Sequence, residues 1–407
     1  MSTPRAPRLV RDLSDAQLRE AGALKWSLDP PGVIPAWVAE MDFALAEPVH
    51  RAVCDYAATG VFGYADPRGP AVVGQALAGF AQRRWGHRID PERVLLVGDV
   101  MDGLALTLKH VAPPGPVIIP SPVYPPFFVV AQSLGREIRA VPVVRAAVAA
   151  AAGAAGPSTT AALTLDLDGI EAQARSGART LLLCHPHNPV GRCWSRAELA
   201  DLRAIVERYR VHVISDEIHA PLTLPGVDFV PYAAVATPEA AVTTLISATK
   251  AFSMPGLRCA QIVSHRAEHH AILSALHPVL NHSMNTIGQH ASVAAYTNGE
   301  PWLDEVRSVI ASRHASFRDS LGAILPQIDI EVAQATYLAW LDVSSLDVED
   351  PVGSALAHGV RVDHQRQAFG PGSEGHVRVN LATSSQRLEQ IVHRLARAWA
   401  DGCSPPG

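Results

Sequence analysis

Lysine is nearly absent from this 407-residue chain: of its 34 lysines and arginines only Lys25, Lys109 and Lys250 are lysines. Any chemistry that needs a primary amine has three candidates. Long apolar runs are missing too. No stretch of about 18 uninterrupted apolar residues occurs, and the opening MSTPRAPRLVRDLSDAQLRE has no apolar core of the signal-peptide kind, so no membrane association and a cytoplasmic location are expected. A positive surplus is also lacking. With a net charge of -5 and a pI near 6.4 there is no electrostatic footprint for nucleic acid or anionic lipid, which leaves a small-molecule partner as the default. The five cysteines (Cys54, Cys184, Cys193, Cys259 and Cys403) are odd in number and irregularly spaced, which suits reduced thiols; Cys184 and Cys259 sit in apolar runs and read as core.

What the chain does have is core-forming material: 48% of residues are hydrophobic and 18% charged, a folded globular composition at a length that suits two domains. Six short unbroken apolar runs, 94–98, 116–120, 180–184, 211–215, 243–247 and 259–263, predict strands buried on both faces of a mostly parallel sheet. Between two of them Ser195 and Glu198 form a capping box, after which Leu199, Leu202, Ile205, Val206 and Tyr209 share one helical face. The strand–helix–strand order predicts an α/β fold. Residues 146–162 are an Ala/Gly/Ser/Thr-rich stretch expected as a surface loop. After about residue 285 helices dominate to about 325, and 335–343 and 376–384 then alternate like strands packed on one face. The expected division is a large domain over 46–285 and a smaller α+β domain built from 1–45 and 286–407.

In open parallel sheets ligands collect outside the carboxyl ends of the strands. The residues following these runs are informative: DVMDGL (99–104), HPHNPVG (185–191), DEIH (216–219) and, in SATKAFSMPGLR, ATK (248–250). An amine that attacks a carbonyl must lose its proton cheaply, and desolvation at a sheet edge lowers a lysine pKa, so Lys250 is the candidate. Lys25, in a polar N-terminal stretch, and Lys109, in a helical segment, read as solvated or snorkelling side chains. Ser247, Arg258 and the helix N-terminus at 99–104 supply what a phosphate dianion needs. A carbonyl-binding lysine, a phosphate cup and the carboxylate of Asp216 at a neighbouring strand end are the parts that hold pyridoxal phosphate, with Asp216 keeping the pyridine nitrogen protonated. Two rivals are weaker. S-x-x-K is also an acyl-enzyme serine motif, but its S-D-N and K-T-G companions are absent. His185 and His187 suggest a metal pair with His212 or His219, yet a zinc site also wants a positioned third ligand and an open position, and N-P-V-G explains the segment without metal.

With SPVYPPF, HNPVG, SDEIH and SATKAFSMPGLR the chain resembles, over nearly its whole length, the fold-type-I pyridoxal phosphate aminotransferases of class I/II. WVAEMDF (37–43), GVFGY (60–64), SDEIH and ATYLAWLD (335–342) resemble the cystathionine β-lyase branch, the carbon–sulfur lyases. The resemblance implies a homodimer. It implies that Lys250 links to the cofactor and shuttles protons, that Asp216 pairs with the pyridinium, that Asn188 and His219 lie near the phenolic oxygen and that Tyr124 stacks on the ring. Ser247, Arg258 and the amides of Val100 and Met101 are implied as the phosphate cup, Tyr64 as a phosphate ligand of the neighbouring subunit, and Arg378 as the clamp for the substrate α-carboxylate. Two departures bear on substrate: Glu40 stands where the branch usually has aspartate, at the substrate entrance, and 363–375 lacks the usual hydrophobic-Pro-Gly-aromatic pattern. The expected reaction is α,β-elimination from an S-substituted cysteine to thiol, pyruvate and ammonia. The alternatives are an aminotransferase, a tailoring enzyme on a large S-cysteine conjugate acting by elimination or decarboxylative oxidative deamination, and a pyridoxal-phosphate fold used as an interaction module.

Overall fold

The computed structural model describes residues 8–64, 66, 68–146, 162–277, 284–363 and 368–400. Its central sheet has seven strands: β1 (Val94–Val97), β2 (Val117–Ser121), β3 (Ile138–Pro142), β4 (Thr180–Cys184), β5 (His212–Asp216), β6 (Val242–Ile246) and β7 (Ala260–Ser264). They lie in the order β1-β7-β6-β5-β4-β2-β3, with β7 antiparallel to both neighbours and the remaining pairs parallel. Six of these match the expected runs to within a residue at either end. Every residue of β2, β4, β5 and β6 is buried, which is why those runs are continuous instead of alternating. The edge strand β3 escaped the sequence reading because only Val141 in it is buried and Arg139 interrupts its apolar character.

Seven helices organise the rest: α1 (Glu47–Ala58), α2 (Gly69–Trp85), α3 (Val100–His110), α4 (Arg196–Arg208), α5 (Thr286–Asn298), α6 (Glu300–Ile324) and α7 (Ser385–Ala400). The capping box of α4 forms as expected. Ser195 Oγ accepts from the Glu198 amide at 3.3 Å while Glu198 Oε2 accepts from the Ser195 amide at 2.8 Å. Leu199, Leu202, Ile205 and Val206 are buried against the sheet layer. Helix α3 lies unusually close to the strands. A Cβ on Gly103 would stand 3.0 Å from Leu245 Cδ2 and 3.2 Å from Ile262 Cγ1, so a side chain there would have to push these two aside by a few tenths of an ångström.

A smaller α+β unit is built from both ends of the chain. Its antiparallel sheet joins β8 (Asp329–Ile330), β9 (Leu338–Asp342) and β10 (His376–Asn380). Ile34–Pro35 pairs in parallel with Val360–Arg361. Ile34 and Ala36 pack with Phe317, Leu341, Val379 and Trp399 in one cluster. Helix α6 crosses between the two cores, placing Trp302, Val306 and Ile310 in the larger and Phe317 and Leu321 in the smaller. Among the described residues no helix is long and apolar enough to cross a membrane. The stretch expected as a loop lies largely outside the described residues; its flanks, Val144–Ala146 and Ala162–Thr164, pair as short antiparallel strands.

One expectation fails here. Lys25 is neither solvated nor snorkelling: it is 1% exposed, with Nζ 2.9 Å from Asp42 Oδ1 and donating to the Glu40 carbonyl at 3.1 Å. The polar sequence around it hid a buried ion pair, which persists because its partner and hydrogen bonds offset the desolvation.

The close seat of α3 predicts the effect of a larger side chain. Gly103→Val should destabilise the protein by about 1–3 kcal/mol through overpacking and weaken cofactor binding by lifting the helix N-terminus, as read by thermal melting and cofactor titration.

Candidate active site

The carboxyl edge of the sheet gathers most of the singled-out residues. Asp216 is the last residue of β5, in register with Cys184 of β4 and Leu245 of β6. Asn188 follows β4, Ser247 and Lys250 follow β6, Tyr124 follows β2, and Val100 and Met101 open α3 after β1.

Lys250 donates from Nζ to the Ala39 carbonyl at 3.0 Å, and Tyr337 donates to the same oxygen at 2.9 Å. Its pKa is lowered, first by burial and further by the Arg378 guanidinium, while Glu40 and Asp216 favour the ammonium. Burial moves Asp216 the other way, up to about 7, against the pull of its hydrogen bond from the Ile218 amide (3.1 Å) and of Lys250. Glu217, the next residue, points elsewhere: it accepts from Ser215 at 2.9 Å and from the Tyr232 amide at 3.0 Å, and burial raises it to about 8. An amine eased toward its neutral form and a carboxyl ready to share a proton with a base thus occupy adjacent strand ends.

Around them lie groups suited to an anionic, oxygen-bearing ring. His219 is 3% exposed, burial holds its pKa down at about 3, and its Nδ1 is buried without a hydrogen-bond partner among the described residues. Asn188 Oδ1 accepts from Arg378 Nη1 at 3.1 Å. Tyr124 is half-buried, and burial raises its phenol. Glu40 turns its carbonyl to Lys25 and to Asn380 Nδ2 (2.7 Å), and its carboxylate acts electrostatically on Lys250.

The candidate phosphate cup is more self-occupied than the sequence implies. Ser247 Oγ donates to the Cys259 carbonyl at 2.7 Å, accepts from the Thr249 amide at 3.1 Å and meets Thr249 Oγ1 at 2.9 Å. Arg258 sits at φ 43° and faces two carboxylates, Asp99 and Asp102, each 3.2 Å from Nη2. Its turn is pressed on α5, where a Cβ at Gly288 would come within 2.0 Å of the Leu257 carbonyl. The Met101 amide donates to Asp99 Oδ1 at 2.9 Å, so a phosphate must share or displace that bond. Tyr64 is not enclosed with these groups; it is 99% exposed, next to exposed Val61 and Phe62.

The histidine pair considered for a metal is committed to the fold. His185 Nε2 meets the Val230 carbonyl at 3.0 Å and His187 Nε2 the Pro122 carbonyl at 2.7 Å, with burial holding both near pKa 4. Among the described residues no group of three or more His, Cys, Asp and Glu is arranged to hold a metal ion.

A model of the family aminotransferase class I and II matches residues 38–395. The chain belongs to that family. Cystathionine β-lyase of Corynebacterium glutamicum is 32% identical to it, covering 93% of this chain and 97% of its own. Cystathionine β-lyase PatB of Bacillus subtilis (strain 168) is 30% identical over 90% of this chain and 92% of its own. The solved pyridoxal-phosphate-bound C–S lyase from Staphylococcus hominis superposes with a TM-score of 0.81 at 25% identity, covering 90% of this chain and 91% of the other. The cofactor is pyridoxal 5'-phosphate and the branch is that of the carbon–sulfur lyases. The residues present fit it: a lysine of lowered pKa, a buried carboxyl, a helix N-terminus with an arginine, and a His219 Nδ1 with no partner among the described residues.

Four neighbours in the site escaped the sequence reading. Thr249 and Asp99 lie inside quoted motifs but carried no assigned role, Tyr337 read only as part of a strand, and Asp363 read only as part of an atypical segment.

Raised carboxyls leave a mark on stability. Between its ordinary 3.8 and about 7, Asp216 keeps a proton in the folded protein that the unfolded chain has lost. Stability should therefore fall as pH rises through that window and level off above it. In cofactor-free protein Asp216→Asn should flatten part of this slope and gain a few kcal/mol at pH 8, as urea melts at pH 5 and pH 8 would measure.

Proposed function

We propose that this pyridoxal-phosphate-dependent carbon–sulfur lyase carries out α,β-elimination on an S-substituted L-cysteine, releasing a thiol, pyruvate and ammonia. The observation that carries the reading is the pairing of Lys250, its pKa lowered, with Asp216, its pKa raised, at adjacent strand ends of one sheet.

When bound, the cofactor supplies an electrophilic carbon for the substrate amine and a ring that accepts electrons from Cα. Asp216 keeps the proton on the ring nitrogen, a role for which a buried carboxyl of raised pKa is suited. Lys250 Nζ, held toward the site by the Ala39 carbonyl, takes the Cα proton and passes it to the departing sulfur. Tyr124 would cover a ring face, Asn188 and His219 would hold the phenolic oxygen, and Ser247, Arg258 and the start of α3 would hold the phosphate. Arg378 meets the α-carboxylate. The electron pair left at Cα expels the thiolate from Cβ, and water converts the remaining enamine to pyruvate and ammonia.

The active unit in this reading is a homodimer, in which Tyr64, exposed on the isolated chain beside Val61 and Phe62, reaches the phosphate of the partner subunit. We place the enzyme in the cytoplasm, in keeping with its free thiols at Cys184, Cys193 and Cys259.

One purified sample serves to test the reaction: a borohydride-sensitive absorbance band near the visible edge, followed by pyruvate and thiol release from cystathionine and from a bulky S-alkylcysteine. Pyruvate and thiol appearing together support elimination. A shift to the pyridoxamine form without pyruvate makes the enzyme an aminotransferase instead. Lys250→Ala should lose pyruvate formation by at least about a thousandfold, a proton-transfer and covalent-catalysis loss of the usual size, and a folded variant that keeps the wild-type rate overturns the assignment.

A further inference from the structure

Arg378 is the group that, in the proposed reaction, receives the substrate α-carboxylate, yet the chain already supplies it with a carboxylate of its own. Asp363 Oδ2 accepts from Arg378 Nη2, and both side chains are 7% exposed. Asp363 is fixed in place twice over, since its amide also donates to the Arg378 carbonyl at 3.2 Å. Phe369 covers the guanidinium, its ring centre 5.0 Å from Cζ.

The hydrogen-bond geometry makes this occupancy decisive. A guanidinium has five N–H groups, and it grips a carboxylate with two prongs along either the Nη1/Nη2 edge or the Nε/Nη2 edge. Both edges need Nη2. Here Nη2 donates to Asp363 and to the Trp37 carbonyl (3.2 Å), and Nη1 donates to Asn188 (3.1 Å). What remains is one Nη1 proton and Nε, which is buried with no hydrogen-bond partner among the described residues. These lie on different edges and give no fork. An incoming carboxylate must either displace Asp363 or settle for a single prong beside a like charge.

The geometry points to Asp363 as a specificity-determining residue: an internal carboxylate that occupies the arginine fork and makes the site a weak receptor for a substrate α-carboxylate. Binding then rests chiefly on the amine and on the group carried by sulfur. This inference depends on the role given to Arg378 above. It explains why the segment after residue 363 departs from the family's pattern at the substrate end while the cofactor end does not.

The test is a pair of titrations of the cofactor-loaded enzyme, followed by the change in cofactor absorbance. The probes are L-methionine, whose sulfur is one carbon too far for β-elimination, and its decarboxylated counterpart 3-(methylthio)propylamine. The wild-type enzyme should bind the two within about tenfold of each other, and Asp363→Asn should tighten methionine about tenfold, roughly 1.4 kcal/mol, while leaving the amine unchanged. Asp363→Ala, which has no amide to re-engage Nη2, should shift methionine the same way. If both variants leave methionine binding unchanged or weaker while Arg378→Gln weakens methionine alone, Asp363 only steadies the arginine and the inference is overturned with the clamp intact. If Arg378→Gln added to Asp363→Asn alters neither probe's affinity relative to the other, the clamp itself is wrong and the inference falls with it.

Discussion

The buried Asp42 carboxylate is the contact on which the rest of the site depends. Its Oδ1 is met by Lys25 Nζ at 2.9 Å and by Trp26 Nε1 at 2.7 Å, and Arg387 of α7 stands 3.8 Å from Oδ2. Next to it, Asn380 of β10 donates to the carbonyls of Val38 and Glu40. These contacts pin residues 37–43 against the smaller unit with their carbonyls turned inward, and one of those carbonyls, Ala39, holds Lys250. Lys250, just beyond a strand of the large sheet, is thus positioned by a loop that the other unit anchors. A buried ion pair of this kind adds little net stability but is costly to break, which suits a fixed geometry better than a strong fold.

Burial is the common cause behind the electrostatics. Lysine and histidine move down, Asp216 and Glu217 move up, and in each case desolvation is the leading influence. The opposing shifts of Lys250 and Asp216 put an amine eased toward neutrality and a carboxyl inclined to keep its proton at adjacent strand ends, the pairing that the proposed proton transfer at carbon would use. Glu217, one residue past β5, shares the burial without sharing the site, because its carboxylate is taken up by Ser215 and the Tyr232 amide.

Much of this was legible in the sequence because the relevant signals are local. Continuous apolar runs mark strands covered on both faces, Ser195 and Glu198 mark a helix start three residues apart, and Asp216 and Lys250 stand just beyond strand ends where parallel sheets place their ligands. What the sequence concealed depends on contacts between distant segments. Lys25 looks solvated until Asp42 meets it, 17 residues away in the chain and fixed by Asn380 and Arg387. Asp363 is unremarkable until the smaller sheet brings it beside Arg378. The edge strand β3 has one buried side chain and a charged residue within it, so neither continuity nor alternation reveals it. The resemblance to carbon–sulfur lyases, by contrast, needed only the motifs; the match over 38–395 shows the wider aminotransferase class I and II family, and the cystathionine β-lyase relatives show the branch.

The scarcity of lysine gains a meaning from where the three side chains end up. Lys25 is sealed in an ion pair, Lys250 donates to the Ala39 carbonyl at the carboxyl edge of the sheet, and Lys109, near the end of α3, is exposed. A free aldehyde condenses with whatever amine it meets, and on a lysine-rich surface a cofactor aldehyde would form many unproductive adducts. Arginine, which supplies nearly all the positive charge here, keeps its guanidinium protonated and does not compete. On its outside this protein therefore offers an arriving aldehyde a single lysine, Lys109, so that few amines on its surface compete for it.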